Sequence, residues 1–289
     1  MTLTGFDHVV VAVTAIDPAI DAYRTLLGRA PCWRAAGEGG VAVAMFALPN
    51  LTVELMAPVD EGPIAERLRA VLAANGEGLA SLAFATAELN AAHRRFGRVA
   101  LAPEPIAHGD SFDAFTGRTR TWRRTRVGPE AAGGLRLFVL ERDQALPPSP
   151  VEAGVAPEAA AAGVDHVVIR TSDPERSAAL FGARLGLSLR LDQVMPAFGA
   201  RLQFFRVGDA ILEVAASLDP VEKTPDRLWG LTYRVPDAEA ARARLAAKGL
   251  DVSPVRDGRK PGTKVFTVRN GTAGVPTLML QPTAAKDEP

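Results

Sequence analysis

Two segments with the same pattern, GFDHVVVAV at residues 5–13 and GVDHVVIRT at residues 163–171, decide the fold of this chain. Each places an Asp-His pair in front of a β-branched run. Each segment is followed by an Asp-Pro pair, by apolar residues at helical spacing and then by a glycine. β-branched runs favour strands, and apolar residues three and four positions apart favour a helix with one buried face. Each segment therefore predicts a strand–turn–helix unit, and their recurrence predicts an internal duplication.

Strand-like runs follow each of these helices, and a weaker strand–helix–strands pattern then completes each half. The runs after the first helices are VAVAMFALP and LTVELMAP in the first half, and LRLDQV, LQFFRVG and AILEVAAS in the second. The weaker patterns are GLASLAFAT, AELNAAHRRFG and LRLFVLE, and then LWGLTYRV, DAEAARARLAAKG and TLMLQP. The sequence therefore predicts an α+β fold of four βαβββ modules in two pairs.

A segment rich in Pro and Ala, residues 144–163, separates the two pairs of modules. Its weak periodicity is typical of a linker, here with a short helical turn. We predict a first domain at residues 1–143, the linker at 144–163 and a second domain at 164–289. A chain of 289 residues with 47% hydrophobic residues is long and apolar enough for two folded domains.

The charge and cysteine content limit the partners of the protein. Thirty-three Lys and Arg balance thirty-three Asp and Glu, so no overall field attracts nucleic acid or an anionic membrane. One cysteine excludes a disulfide framework, and no apolar run reaches the roughly 20 residues of a spanning helix. We expect a cytoplasmic protein that binds a small molecule and neither nucleic acid nor membrane, and a homodimer stays open.

The paired βαβββ modules, the DHVV openings and the glutamates late in each module together resemble the vicinal oxygen chelate superfamily. That superfamily includes glyoxalase I, extradiol dioxygenases, methylmalonyl-CoA epimerase and the bleomycin-resistance proteins. The resemblance covers nearly the whole chain outside the linker. It implies that two modules form one cupped mixed sheet, with a divalent metal held in the cup by residues of the first and last strands.

The resemblance, with the alternation of side chains along a strand, implies one set of residues on the concave face of each domain. The two sets are His8, Glu54, Ser81 and Glu141 in the first domain, and His166, Glu213, Gly230 and Gln281 in the second. Members with a working metal site commonly have a second histidine where this chain has Ser81 and Gly230. Because each set has a single imidazole, the sequence argues against an iron-dependent extradiol dioxygenase.

The remaining residues allow a three-ligand site for a divalent ion (Zn, Ni, Fe, Mn or Mg) in each domain. The first candidate metal site is His8, Glu54 and Glu141, and the second is His166, Glu213 and Gln281. Charge favours the first, because two carboxylates neutralise a divalent ion. Without a metal, two facing carboxylates repel each other, and one of them then serves as a general acid or base. A third interpretation, that both histidines are packed strand residues inherited through duplication, stays open.

A basic stretch, GRTRTWRRTR at residues 117–126, is a second candidate for ligand binding. Read as a strand, it has one face that carries Arg118, Arg120, Trp122, Arg124 and Arg126. Such a face can bind phosphate or carboxylate and can stack on a ring. We predict Trp122, Arg124 and Ser81 as substrate-binding residues. The alternative is an edge strand whose arginines are solvated or pair with carboxylates of the protein.

These features together predict a glyoxalase-like protein that abstracts a proton next to a carbonyl of a small organic substrate. The reaction is then that of a lyase or isomerase, with Glu54 and Glu141 as the catalytic residues. Two other classes stay open. One is a binding protein that sequesters a small molecule, as bleomycin-resistance proteins do, and the other is a structural protein whose clefts are filled by side chains.

Overall fold

The computed structural model describes residues 3–36, 38–219 and 224–283, and it arranges them as two eight-stranded mixed sheets with flanking helices. The elements of the first half are β1 (Gly5–Ala12), α1 (Ile16–Leu27), β2 (Trp33–Ala36), β3 (Val41–Leu48), β4 (Leu51–Pro58), α2 (Pro63–Asn75), β5 (Gly78–Ala85), α3 (Leu89–Arg98), β6 (Ala107–Phe112), β7 (Thr119–Arg126) and β8 (Leu137–Arg142). Those of the second half are β9 (Gly163–Thr171), α4 (Pro174–Ala178), β10 (Ser188–Met195), β11 (Ala200–Val207), β12 (Ala210–Ser217), β13 (Arg227–Arg234), α5 (Ala238–Ala247), β14 (Arg256–Asp257), β15 (Lys264–Val268) and β16 (Thr277–Gln281).

The strand order repeats between the halves. It is β2-β3-β4-β1-β5-β8-β7-β6 in the first sheet and β10-β11-β12-β9-β13-β16-β15-β14 in the second. In each sheet the first strands of the two modules, β1 with β5 and β9 with β13, pair antiparallel at the centre. The predicted four βαβββ modules in two pairs are therefore confirmed. The helix α2 between the modules of the first sheet was not predicted, and no run of the sequence was assigned to the strands β2, β6, β14 and β15.

Local sequence explains where the helices begin and end. Helix α1 buries Ile20, Tyr23 and Leu27 on one side and ends at Gly28, whose φ of 64° is the left-handed conformation that glycine adopts without strain. Helix α5 begins after Asp237, whose carboxylate accepts the backbone N–H groups of residues 239 and 240. Helix α4 is short and continues as a π-helical turn over Ala179–Arg184.

The two halves share one apolar cluster within the described residues. Alternate residues of both sheets, such as Val9 and Val167, pack in it together with the buried sides of α1, α3 and α5. Two arginines cross between the halves in opposite directions. Arg244 of α5 donates to the carbonyl oxygens at the C-terminal end of α1, and Arg95 of α3 donates to those at the end of the π-helical turn. Each cation thus satisfies helix carbonyls that have no partner within their own helix.

The other face of each sheet is free of this cluster, and we name it the first cup and the second cup. In the first cup the two edge strands meet, because the N–H of Ala114 donates to the carbonyl of Arg34 and the indole N–H of Trp33 donates to Ser111. Helix α2 covers one end of the first cup, where its apolar side packs on Ala12 and Met56 in a separate small cluster. The first cup is therefore enclosed at its edges and partly roofed by α2.

The segment between the sheets contacts both halves, since Arg244 of α5 donates to the carbonyl of Ala159 and the N–H of Ala162 donates to the carbonyl of Arg234. The hydroxyl of Ser149 accepts the N–H of Ala47, Val151 bridges to Arg29, and a helical turn occurs at Pro157–Ala159. The exact division into domains at residues 143 and 164 stays a prediction. Within the described ranges, no helix has the length and hydrophobicity needed to cross a membrane.

Candidate functional site

His8 and Glu54 lie together at the centre of the first cup. They are on adjacent parallel strands, where His8 is in register with Thr52 and Glu54 with Val10, so both side chains point away from the apolar cluster. The Nε2 atom of His8 is 3.7 Å from Oε2 of Glu54. Their side chains are 17% and 9% exposed, so a small molecule in the cup would meet both in a largely dry setting. The predicted juxtaposition of these two residues is present in the structure.

A buried carboxylate fixes the orientation of the His8 ring. Nδ1 of His8 lies 2.5 Å from Oδ1 of Asp7, and Arg142 on β8 donates to the same oxygen of Asp7. Burial raises the pKa of Asp7, but the hydrogen bond from His8 and the charges of His8 and Arg142 outweigh it and hold that pKa below its ordinary value. The ionised Asp7 keeps the His8 Nδ1 atom occupied, so proton exchange with a ligand is directed through Nε2.

Ser81 also faces the first cup, whereas Glu141 does not. Ser81 is in register with Val10, one strand away from Glu54. Glu141 lies on the helix-packed face, where its carboxylate accepts the N–H of Leu89 at the start of α3 and pairs with Arg123 at 2.7 Å. These two contacts lower the pKa of Glu141. The prediction that Glu141 joins His8 and Glu54 was wrong, because β8 is apolar on both faces and its alternation gave no signal of which face carried Glu141.

The second cup has the same pair of residues as the first, and its third predicted ligand also lies outside the cup. His166 pairs through Nδ1 with Asp165 at 2.6 Å, its ring is edge-on to Phe204, and Glu213 is in register with both Phe204 and Val168. Gly230 is in register with Val168 from the other side. Gln281 lies outside the cup, because its side-chain oxygen accepts the N–H of Ala238 at the start of α5. Glu141 and Gln281 thus have the same role, because the side chain of each accepts the first backbone N–H of a helix.

Glu213 carries no side-chain hydrogen bond or ion pair among the described residues. Burial raises its pKa, and the charges of His166 and Arg259 only partly oppose that shift. The folded protein therefore binds a proton at Glu213 more tightly than the unfolded chain does, so stability falls as the pH rises from its ordinary pKa through the raised one.

We accordingly expect Glu213→Gln to raise the melting temperature at pH 7 to 8 and to have little effect at pH 4. A gain of about 1 kcal/mol corresponds to roughly 2–4 °C for a chain of this class. Thermal unfolding of the variant at both pH values tests this, with the exposed Glu130→Gln as the control. Equal shifts at pH 4 and pH 8 would contradict the explanation by burial of charge.

The basic stretch forms strand β7 and directs arginines into the first cup. The guanidinium of Arg120 lies between two indoles, 5.3 Å from the ring centre of Trp33 and 4.8 Å from that of Trp122. Arg124 lies over the ring of Phe138 at 5.3 Å. Within the described residues, neither arginine forms a side-chain hydrogen bond or pairs with a carboxylate, and the buried Nε atom of Arg120 has no partner. Burial lowers the pKa of both guanidiniums, although both stay charged.

Four residues of the first cup were not identified from the sequence, namely Asp7, Arg67, Arg136 and Arg142. Arg67 is on α2, and Arg136 directly precedes β8. The helix α2 does carry a signal, since Pro63 begins it, Gly76 follows it, and apolar residues recur at helical spacing between them. The functional positions of Asp7 and Arg142 depend on a contact between distant strands, which no local pattern reveals.

The residues of the first cup do not fit a three-ligand divalent metal site. A metal would find the imidazole of His8 and the carboxylate of Glu54, but the third predicted ligand, Glu141, is on the opposite face of the sheet. No group of three His, Cys, Asp or Glu side chains in the described parts of the chain is placed to hold a metal ion. The charged residues nearest to the pair include Arg120 and Arg142, whose positive charges oppose cation binding.

Comparisons with known families agree with this architecture. Residues 6–162 match the sequence model of a family described as "Glyoxalase-like domain". Residues 165–267 match one described as "Glyoxalase/Bleomycin resistance protein/Dioxygenase superfamily". A search of curated protein sequences finds no match.

Solved structures with the same fold include enzymes of different activity. A triple mutant of 4-hydroxymandelate synthase from Streptomyces coelicolor is 14% identical, with a TM-score of 0.71 over 100% of this chain and 95% of its own. The Mn(II)-bound glyoxalase from Novosphingobium aromaticivorans is also 14% identical, with a TM-score of 0.63 over 97% of this chain and 82% of its own. A hypothetical protein from Staphylococcus aureus is 6% identical, with a TM-score of 0.63 over 95% and 98%. At these identities the likeness establishes the fold and no activity.

Proposed function

Because the chain belongs to the glyoxalase, bleomycin resistance protein and dioxygenase superfamily, the vicinal oxygen chelate superfamily, we propose that its first cup is an active site. The proposed reaction is abstraction of a proton next to a carbonyl of a small anionic substrate, without a metal ion. The observation that carries this proposal is the Glu54–His8 pair, 3.7 Å apart, in a cup that also presents unpaired arginines.

The roles follow from what each group can do with a proton. The carboxylate of Glu54 accepts the proton when the C–H bond breaks, and the electron pair moves to the carbonyl oxygen as an enolate forms. The imidazolium form of His8, whose Nδ1–H is held by Asp7, presents its Nε2–H to the same space and donates that proton to the enolate oxygen. The neutral ring takes the proton back when the carbon is protonated again. The guanidinium of Arg120 or Arg124 stabilises the negative charge that develops, an effect that is strong in a site with little water. Return of a proton to the opposite face of that carbon, or to the neighbouring carbon of an enediol, completes an isomerisation, whereas return to the same face gives exchange with solvent alone.

A deuterium exchange experiment tests this proposal on the intact protein. The protein, freed of metals with EDTA, is incubated in D2O with pyruvate, 2-oxoglutarate or dihydroxyacetone phosphate, and loss of the C–H signal is followed by proton NMR. We expect exchange of at least one compound, at a rate that EDTA treatment leaves unchanged. Exchange that occurs only after Mn(II), Zn(II) or Ni(II) is added would contradict a metal-independent reaction.

Sequestration of a ligand without turnover is the second candidate function. It is favoured by the position of Arg120 between Trp33 and Trp122, which offers both a charge and flat surfaces to an aromatic anion. Tight binding by the same cup in the absence of any proton exchange would support this function and reject the catalytic one.

A further inference from the structure

Three arginines from three separate segments act on one another's charge at the end of the first cup that α2 covers, and we name them the basic end. They are Arg67 on α2, Arg124 on β7 and Arg136 directly before β8. The guanidinium of Arg124 lies over the ring of Phe138, which follows Arg136 by two residues in the chain. The carbonyl of Arg136 accepts the N–H of Leu82, next to Ser81 in the cup.

No carboxylate of the described residues pairs directly with the basic end. None of its three guanidiniums lies within 4.0 Å of a carboxylate or donates a side-chain hydrogen bond in the described ranges. Glu104, the carboxylate whose charge acts on both Arg124 and Arg136, pairs instead with Arg126 at 3.2 Å. The charge of Arg67 acts on Arg124 and on Arg136, and that of Arg124 acts on Arg136. Like charges that are partly removed from water repel, and an anion placed among them relieves that cost.

The chemistry of the cluster selects the anion. A single guanidinium satisfies a carboxylate with two parallel hydrogen bonds, whereas three guanidiniums approaching from different elements match a tetrahedral dianion with three terminal oxygens. Glu54 acts electrostatically on Arg124 as well, so an anion at the basic end lies within the length of a small molecule from the Glu54–His8 pair.

We infer that the basic end binds the phosphate group of a phosphorylated small molecule whose carbonyl reaches Glu54 and His8. The first part of this inference concerns binding alone, and only the second part rests on the proposed function. The substrate class is therefore that of phosphorylated aldehydes or ketones, and the phosphate fixes the orientation of the reacting carbon.

Calorimetric titration of the intact protein at constant ionic strength tests the inference. The probes are dihydroxyacetone phosphate, its unphosphorylated form dihydroxyacetone, and inorganic phosphate. We expect the phosphorylated compound to bind tightest, inorganic phosphate to compete with it, and dihydroxyacetone to bind at least tenfold more weakly. Binding of the phosphorylated compound should weaken by about tenfold or more in each of the variants Arg124→Met, Arg136→Met and Arg67→Met, because each change removes a charged hydrogen bond.

Two control variants and the Glu54 variant separate the possible failures. The two controls are Arg69→Met, at an exposed position of α2, and Arg118→Met, at an exposed position before β7. Each should change the affinity for the phosphorylated compound by less than about twofold. Because Arg67 is exposed, its variant is expected to fold even if the variants of the more buried arginines do not. Binding that is unchanged in Arg67→Met and Arg136→Met, or inorganic phosphate that binds as tightly as the phosphorylated compound, would overturn the inference. If the Glu54→Gln variant binds the phosphorylated compound but does not exchange its proton, the phosphate site is supported. If the wild-type protein exchanges protons equally well with phosphorylated and unphosphorylated compounds, the phosphate site is rejected and the proposed reaction is not.

Discussion

Glu54→Gln is expected to lower the rate of deuterium exchange by about 10²–10⁴-fold, the usual contribution of a positioned general base. Glutamine has nearly the same shape as glutamate and can stay in the same place beside His8, but it cannot accept a proton. The variant therefore removes the chemistry while leaving the cup intact. The rate is measured by proton NMR in D2O with the compound that the wild-type protein exchanges fastest.

The second cup supplies a matched control for this experiment. Glu213 occupies the same position as Glu54, since Glu213 is in register with Val168 as Glu54 is with Val10. Glu213→Gln is expected to keep the exchange rate within about twofold of the wild-type value, because the second cup lacks the arginine stripe of β7. If Glu213→Gln lost exchange and Glu54→Gln kept it, the active site would have to be assigned to the second cup.

The fold could be predicted from the sequence because its information is local and repeated. The DHVV segments, the glycine that ends α1 and the strand-like runs each indicate one element, and the second half repeats the first. Helix α2 was missed although Pro63 and Gly76 bound it, because it has no counterpart among the described residues of the second half and interrupts the repeat. A pattern that depends on duplication thus fails where one copy has an insertion.

The candidate site could be predicted only as far as alternation along a strand determines it. His8, Glu54 and Ser81 lie beside the buried residues Val9, Val53 and Leu82, whose burial on the other face fixes the face that each side chain occupies. Glu141 and Gln281 end strands that are apolar on both faces, and there the superfamily resemblance suggested the wrong face. The assignment of these residues to helix starts requires the packing of α3 and α5 on the sheets, which is a tertiary property.

Gly274→Ala is expected to destabilise the protein by about 2–5 kcal/mol through the contact between the two halves. Gly274 has a φ of 72°, which costs a non-glycine residue about 1–2 kcal/mol. A Cβ atom there would also lie 2.2 Å from the carbonyl oxygen of Glu77, a backbone atom of the first half that cannot rotate away. Relief of that overlap requires a shift of the loop against the first half, at a further cost of about 1–3 kcal/mol.

Gly249→Ala separates the two contributions. Gly249 has a similar φ of 82°, but a Cβ atom there would meet nothing within 4 Å. Its variant should therefore show the backbone cost alone, and the difference between the two variants measures the contact between Gly274 and Glu77. Urea unfolding at pH 7 gives both free energies. Equal losses in the two variants would mean that the loop at Gly274 moves without cost, and that the halves are held together by the shared core and the crossing arginines Arg95 and Arg244.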